Sequence, residues 1–133
     1  MALPSSIDVT KLSIEDFAYW YRALFISNYD GDTATFEIDL GYHFANKKHT
    51  FRLMGINCPE VNKAASRPAG LLARDYLKAL LEGKPIVIDS HKDEADKYGG
   101  RWLGVIWVQQ TDGSWLNANQ AMVAAGHAVV YNP

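Results

Sequence analysis

Residues 51 to 60 read Phe-Arg-Leu-Met-Gly-Ile-Asn-Cys-Pro-Glu, an apolar run with a cation set inside it and a hard stop at its end. A buried strand has no reason of its own to hold Arg52 unless the guanidinium reaches out of the sheet toward an anion. Pro59 has no N–H to give to a ladder and drives Cys58 out of the helical region, so the strand must end there. A guanidinium, a carboxamide (Asn57) and a carboxylate (Glu60) therefore meet at one strand end, where a small barrel places its chemistry.

A second group of polar residues lies upstream, at Asp30-Gly31-Asp32-Thr33. Two acids around a glycine at a strand junction predict a tight turn that aims one carboxylate inward. Hard cations such as calcium take several oxygens at about 2.3–2.6 Å, from carboxylates, amide or backbone carbonyls and water. Asp32, the side-chain oxygen of Asn57 and the backbone carbonyl of Cys58 make a set of that kind. Taken singly, each stretch is equally an ordinary turn.

Hydrophobic content of 48% over 133 residues calls for one domain with a real core. The net charge is −2, so affinity for nucleic acid must come from a local cluster and not from a global field. One cysteine excludes an internal disulfide and makes a structural zinc site improbable. No apolar run approaches the ~20 residues that cross a bilayer. No signal peptide is visible, and the expectation is an intracellular, cytoplasmic protein without membrane contact.

Along the chain, Ser13-Ile14-Glu15-Asp16 predicts a cap for a short helix carrying Phe17 and Trp20, with residues 1–19 forming an extension packed on a 20–133 domain. Tyr19 to Tyr29 is of strand length. Thr33 to Leu40 alternates, with Ala34, Phe36, Ile38 and Leu40 on the inner face. Asp30-Gly31 turns the chain between the two. Gly41 to Lys48 reads as an exposed loop, leaving Lys47, Lys48 and His49 either solvated or on phosphate. Val61 to Ala69 is expected as a loop. Gly70 to Leu81 is a helix with Leu72, Tyr76, Leu77, Leu80 and Leu81 as its core stripe and Gly83 as its stop. Pro85 to Ile88 and Trp102 to Gln109 are strands, with a charged loop from His91 to Gly100 between them. Asn119 is placed as the cap of a helix ending at Gly126. Five strands, one helix between the third and fourth and another after the fifth, make a mainly β, mixed α+β chain that fits a five-stranded Greek-key barrel of the OB type, with two or three short helices.

Asp30-Gly-Asp-Thr33, then Phe51-Arg-Leu-x-Gly-Ile-Asn-x-Pro-Glu60, then Asp96-Lys-Tyr-Gly-Gly-Arg101, with Asn119-Gln120 and Gly126-His127-Ala128 after them, resemble the staphylococcal-nuclease-like (thermonuclease) family. The resemblance spans roughly residues 20 to 131. It implies the named barrel and a calcium-dependent hydrolysis of phosphodiesters in single-stranded DNA and RNA, with duplex ends or A/T-rich duplex as further substrates, by a monomer. It assigns the metal to Asp32, the attacking water to Glu60, the scissile phosphate to Arg52 and the leaving-group side to Arg101. Thr33 is expected to support that network, with Asp30 beside it. Lys97 and Tyr98 match contacts to a terminal phosphate, and Tyr131 a contact to the nucleotide.

Three departures accompany the resemblance. Asn57 stands where the best-known members carry a second metal-binding aspartate, which keeps an oxygen but loses a charge. Gly99-Gly100 adds a residue before Arg101. The sequence stops at Pro133, before a C-terminal helix that the resemblance implies, and Phe17 and Trp20 are expected to cover the surface such a helix would bury. Two competing readings follow. One is a nuclease-like barrel that binds nucleic acid or protein without cleaving it. The other is a structural module in which Arg52 serves only to pair Asp32 or Glu60.

Overall fold

The computed structural model describes residues 19–93 and 102–132. Strands β1 (Trp20–Asn28), β2 (Thr33–Gly41) and β3 (Phe44–Leu53) run as an antiparallel meander. After the two-residue β4 (Ile56–Asn57), helix α1 (Arg67–Leu81) leads into β5 (Ile86–Lys92), which pairs with the free side of β1. Strand β6 (Trp102–Gln109) pairs antiparallel with β5 and, at its first three residues, parallel with the last three of β3. That last pairing closes β1-β2-β3-β6-β5 into the expected five-stranded barrel. Short β7 (Trp115–Asn117), α2 (Ala118–Ala124) and β8 (Val129–Val130) complete the described chain, with β8 pairing β4. The mainly β, mixed fold and its two described helices agree with the sequence reading. The expected helix carrying Phe17 and Trp20 lies outside the described residues except for Trp20, which is not helical but opens β1 opposite Asp89. Neither described helix is long and apolar enough to cross a membrane.

The core follows the strand period. Ala34, Phe36 and Ile38 of β2, Phe51 and Leu53 of β3, Ile86 and Ile88 of β5, and Ile106 and Val108 of β6 are all buried. Phe36 meets Phe25 and Phe51 edge-on, with ring centroids 6.1 and 6.2 Å apart. Arg52 falls between two buried residues of β3 and so emerges on the other face, as the alternation demands.

Four expectations are corrected. Gly41–Lys48 is not a loop. The chain turns within Gly41, Tyr42 and His43, all at positive φ, and β3 already runs from Phe44. Lys47 therefore sits on a strand, where its ammonium meets Glu37 at 2.9 Å across the ladder. Leu40 is exposed, because the hairpin projects beyond the barrel and its inward face has nothing to cover it. In α1, Leu77 and Leu81 are buried and Tyr76 and Leu80 pack against the core as expected, but Leu72 points to solvent, and the other buried positions are Gly70 and Ala73. The two small residues let the helix come close: a methyl group on Gly70 would stand 2.9 Å from the Pro59 carbonyl oxygen. Finally, α2 is capped by Asn117, whose side chain accepts from the Gln120 N–H at 3.2 Å.

Asn119 has a different task. It is buried, its carbonyl accepts from the Ile106 N–H at 3.0 Å, and its amide donates to the Met54 and Gly104 carbonyls at 2.9 Å each. The side chain thus satisfies backbone groups of β6 and of the turn after β3, on both sides of the barrel closure. Asn119→Leu would strip the Ile106 N–H and the Met54 carbonyl of this partner, while the Gly104 carbonyl keeps the Met54 N–H at 2.9 Å, so we expect it to cost about 2 kcal/mol or more. Urea unfolding monitored by far-UV circular dichroism checks this; a loss below about 1 kcal/mol would show that water replaces the brace.

Candidate active site

The site forms where β2 begins, β3 ends and β6 begins. The turn from β1 into β2 is held from within: Asp30 Oδ1 accepts from the Asp32 N–H at 3.1 Å, and Tyr29 N–H donates to the Thr33 carbonyl at 3.1 Å. It is also held from outside. Asn28 Nδ2 donates to the carbonyl of Arg74 on α1 at 2.8 Å, and a methyl group on Gly31 would lie 2.8 Å from both Ala73 Cβ and Cys58 Sγ. Gly31 is therefore set by close approach, since anything larger collides with α1 and with the turn after β4.

Held in this way, Asp32 turns its carboxylate into the protein, where its side chain is 8% exposed. Oδ2 accepts from the Cys58 N–H at 2.8 Å and lies 3.6 Å from Arg52 Nη2; Oδ1 lies 3.3 Å from the Thr33 hydroxyl, which donates to it. The Asp32 carbonyl accepts from the Leu53 N–H at 2.8 Å, stitching the turn to β3. Arg52 lies opposite Thr33 in the ladder and donates through Nη2 to Asn57 Oδ1 at 3.0 Å. The Tyr131 ring covers the guanidinium, with Cζ 5.4 Å from the ring centroid. Glu60 is half-exposed on the rim, 3.2 Å from Lys63 Nζ.

These residues line a cleft of about 460 Å³ bounded by Asp30, Asp32, Thr33, Thr50, Arg52, Asn57, Cys58, Glu60 and Trp102. Six residues singled out from the sequence as metal-binding, catalytic or supporting (Asp30, Asp32, Thr33, Arg52, Asn57 and Glu60) come together here, as does Cys58. Tyr131 joins them through Arg52. Lys97, Tyr98 and Arg101 lie outside the described residues. Sequence reasoning missed Thr50 and Trp102, although both were legible: Thr50 precedes Arg52 by one strand period, and Trp102 follows Arg101 directly. A larger concavity, about 860 Å³, lies against β1, β2 and the start of β5. Of its two acids, Glu37 is paired with Lys47 and Asp39 is exposed, so it offers no comparable grouping of a buried carboxylate with a guanidinium.

The charges of the cleft are unevenly settled. Burial, then a hydrogen bond with the Asp32 side chain and its negative charge, push the Asp30 carboxyl up to about 6. Burial, and then the charges of Asp32 and Asp30, push the Cys58 thiol up to about 12, so it is an inert packing group and not a nucleophile. Among the described residues no three His, Cys, Asp or Glu side chains group as a metal site. The oxygens that do converge are hard ones: the Asp30 and Asp32 carboxylates, the Asn57 amide and, on the rim, Glu60. Two carboxylates this close, one of them made harder to ionise by burial and by its neighbour, form a place where a cation would offset their charge, and their oxygens keep acceptor capacity beyond the bonds already described. The donor set fits a hard divalent ion. The Cys58 backbone contributes to the site through its N–H, which donates to Asp32.

The family model of staphylococcal nuclease homologues matches residues 50–133. The matched span contains Arg52, Asn57, Cys58 and Glu60 and leaves the Asp30–Thr33 turn outside it. A thermonuclease from Staphylococcus hyicus is 28% identical over 106 residues, 78% of this chain and 57% of that protein. The chain therefore covers less than two thirds of that relative's length. On the family match, the chain belongs to the staphylococcal nuclease homologues.

The raised Asp30 pKa has a consequence for stability. Its folded value, about 6, lies above the ordinary 3.8, so the native state holds this proton more tightly than the unfolded chain. The favourable contribution is complete below pH 3.8 and is lost as pH rises through 6. Asp30→Asn keeps the oxygen that accepts from Asp32 N–H and carries no charge. We expect the variant to melt several degrees above the parent at pH 8 in chelator, with the difference gone by about pH 4. Equal melting temperatures across that range would show that Asp30 is not strained by its neighbour.

Proposed function

We propose that this protein is a calcium-dependent nuclease that hydrolyses phosphodiester bonds in single-stranded DNA and RNA. The observation that carries the reading is the state of Arg52. Both of its polar contacts among the described residues, to Asn57 Oδ1 and Asp32 Oδ2, run through Nη2, leaving the other nitrogens of the fork for an anion. At 3.6 Å the contact to Asp32 is also longer than the 2.7–2.9 Å of a tight charge-assisted bond. An arginine that existed only to neutralise a buried carboxylate would use its fork bidentately. This favours a phosphate site over the structural module.

In the proposed reaction Arg52 holds a non-bridging oxygen of the scissile phosphate and offsets the charge that grows there during attack. Glu60, on the same rim and open to solvent, accepts the proton of the attacking water. The water oxygen bonds to phosphorus, the ester bond to the leaving oxygen breaks, and Arg101 is assigned to that departing side. Asp32 is held by Cys58 N–H and Thr33 so that its remaining acceptor capacity faces the cleft. Calcium, held by Asp32, Asn57, the Cys58 carbonyl and, through proximity, Asp30, would supply a fixed positive charge beside the phosphate oxygens. Lys97 and Tyr98 are assigned to a terminal phosphate, and Tyr131 to the nucleotide beside Arg52. A monomer without membrane contact, working in the cytoplasm, suffices for this chemistry.

The deciding experiment digests single-stranded DNA and RNA at alkaline pH with calcium or with chelator. We expect cleavage only with calcium, and a loss of two to three orders of magnitude in Arg52→Ala, since one transition-state charge contact is worth ~3–4 kcal/mol. Full activity in chelator would overturn the metal requirement. No cleavage under any condition, with binding retained, would leave the non-cleaving barrel as the function.

Asn57 provides an independent check. Its carbonyl faces Arg52 at 3.0 Å, so it either serves the metal as well or only steadies the guanidinium. If it serves the metal, Asn57→Asp adds a full charge at the ion and should tighten calcium by roughly tenfold or more. Calcium titration of both proteins at fixed pH and ionic strength, followed by tryptophan fluorescence, measures this. Unchanged affinity would remove Asn57 from the metal shell and leave it as the partner of Arg52.

A further inference from the structure

We propose that Trp102 is a base-stacking platform: the wall of the cleft against which a nucleobase lies when its phosphate is held at Arg52. The inference rests on the nuclease reading and adds a recognition residue to it. In β6 the even-numbered residues face inward, and Gly104, Ile106 and Val108 are buried. Trp102 has the same phase but sits at the mouth of the barrel, beside Phe51 in the parallel closure. It is only half-buried there: it packs against the core and also lines the cleft with Thr50 and Arg52.

Glycine and two aliphatic residues occupy the inward positions further along the same strand, so the core alone does not call for an indole. The other cleft-lining residues are polar apart from Cys58, whose thiol is packed against Gly31 and lies in a buried residue. Trp102 is thus the one aromatic wall of the cleft among the described residues. Its Cα stands one strand and one residue from that of Arg52, roughly 6 Å by sheet geometry. A nucleotide bound through its phosphate to the guanidinium would bring its base within reach. A flat, apolar, polarisable surface beside a phosphate-binding fork suits a nucleobase of any identity, because every base has a π-face. Tyr131, supplied by the segment after β8 and already seated over the guanidinium, is a separate ring.

The test measures binding apart from cleavage. Anisotropy of a fluorescein-labelled single-stranded oligothymidylate is titrated in chelator with wild type, Trp102→Leu and Trp102→Phe. Melting curves confirm that the variants fold, and Phe serves as the milder replacement should Leu fail. We expect Trp102→Leu to weaken binding by about 10- to 100-fold and Trp102→Phe to keep most of it. With calcium present, the Leu variant's KM should rise by far more than its kcat falls. A set of oligonucleotides carrying one abasic residue at successive positions completes the test. At one position the missing base should weaken wild type about as much as the Leu change does, while affecting the Leu variant little. Wild type and Trp102→Leu binding the intact strand equally would overturn the platform while leaving the nuclease reading in place. So would an equal loss of the variant's affinity with and without each base. Failure of wild type both to bind and to cleave would overturn the two together.

Discussion

Everything at the mouth of the barrel depends on one buried carboxylate. Asp32 accepts from the Cys58 N–H, stands beside Arg52, and through its own backbone carbonyl holds Leu53. Those bonds tie the β1–β2 turn, the end of β3 and the turn after β4 into one unit. A charge removed from water is costly unless several partners compensate it, so these positions are mutually dependent. Asp32 is oriented by Cys58 and Thr33, and Arg52 is shared between Asp32 and Asn57. The neutral Asn57 lets the guanidinium lean on it without consuming a second carboxylate.

Helix α1 supplies the outer clamp. Its small residues Gly70 and Ala73 let the helix backbone approach the Pro59–Glu60 segment and the Gly31 turn together. The two arms that carry Asp32 and Glu60, far apart in sequence, are thereby referenced to a single rigid rod. Loops that position reacting groups work best when a scaffold leaves them little freedom, and here the scaffold is one turn of helix.

Much of this was legible in the sequence, for a physical reason. Alternation in β2 and β6 reflects burial on one face, and so the strands could be read from Thr33 and from Trp102. Arg52 and Asp32 broke their surroundings chemically and therefore announced a site. What escaped was set by tertiary contact. A register that puts Leu72 outside and Ala73 inside depends on what α1 packs against, not on the apolar count of the helix. Asn119 resembled a cap because asparagine commonly is one, while its bonds run to Met54, Gly104 and Ile106, invisible to any local window. Gly41–Lys48 looked like a loop because a hairpin projecting into solvent loses the inner-face hydrophobics that reveal a strand. Trp102 went unremarked since its strand phase alone marks it as core.

Among the described residues the barrel closes through three residue pairs, Phe51–Trp102, Arg52–Leu103 and Leu53–Gly104. The same short seam carries two walls of the cleft. Parting the seam would therefore dismantle the cleft as well. Under the proposed reading, ligand and fold would be coupled: a nucleic-acid strand that bridged Arg52 and Trp102 would fasten the two edges of the seam and by mass action hold the barrel shut. The protein should be hardest to unravel, or to feed to a protease, while it is occupied.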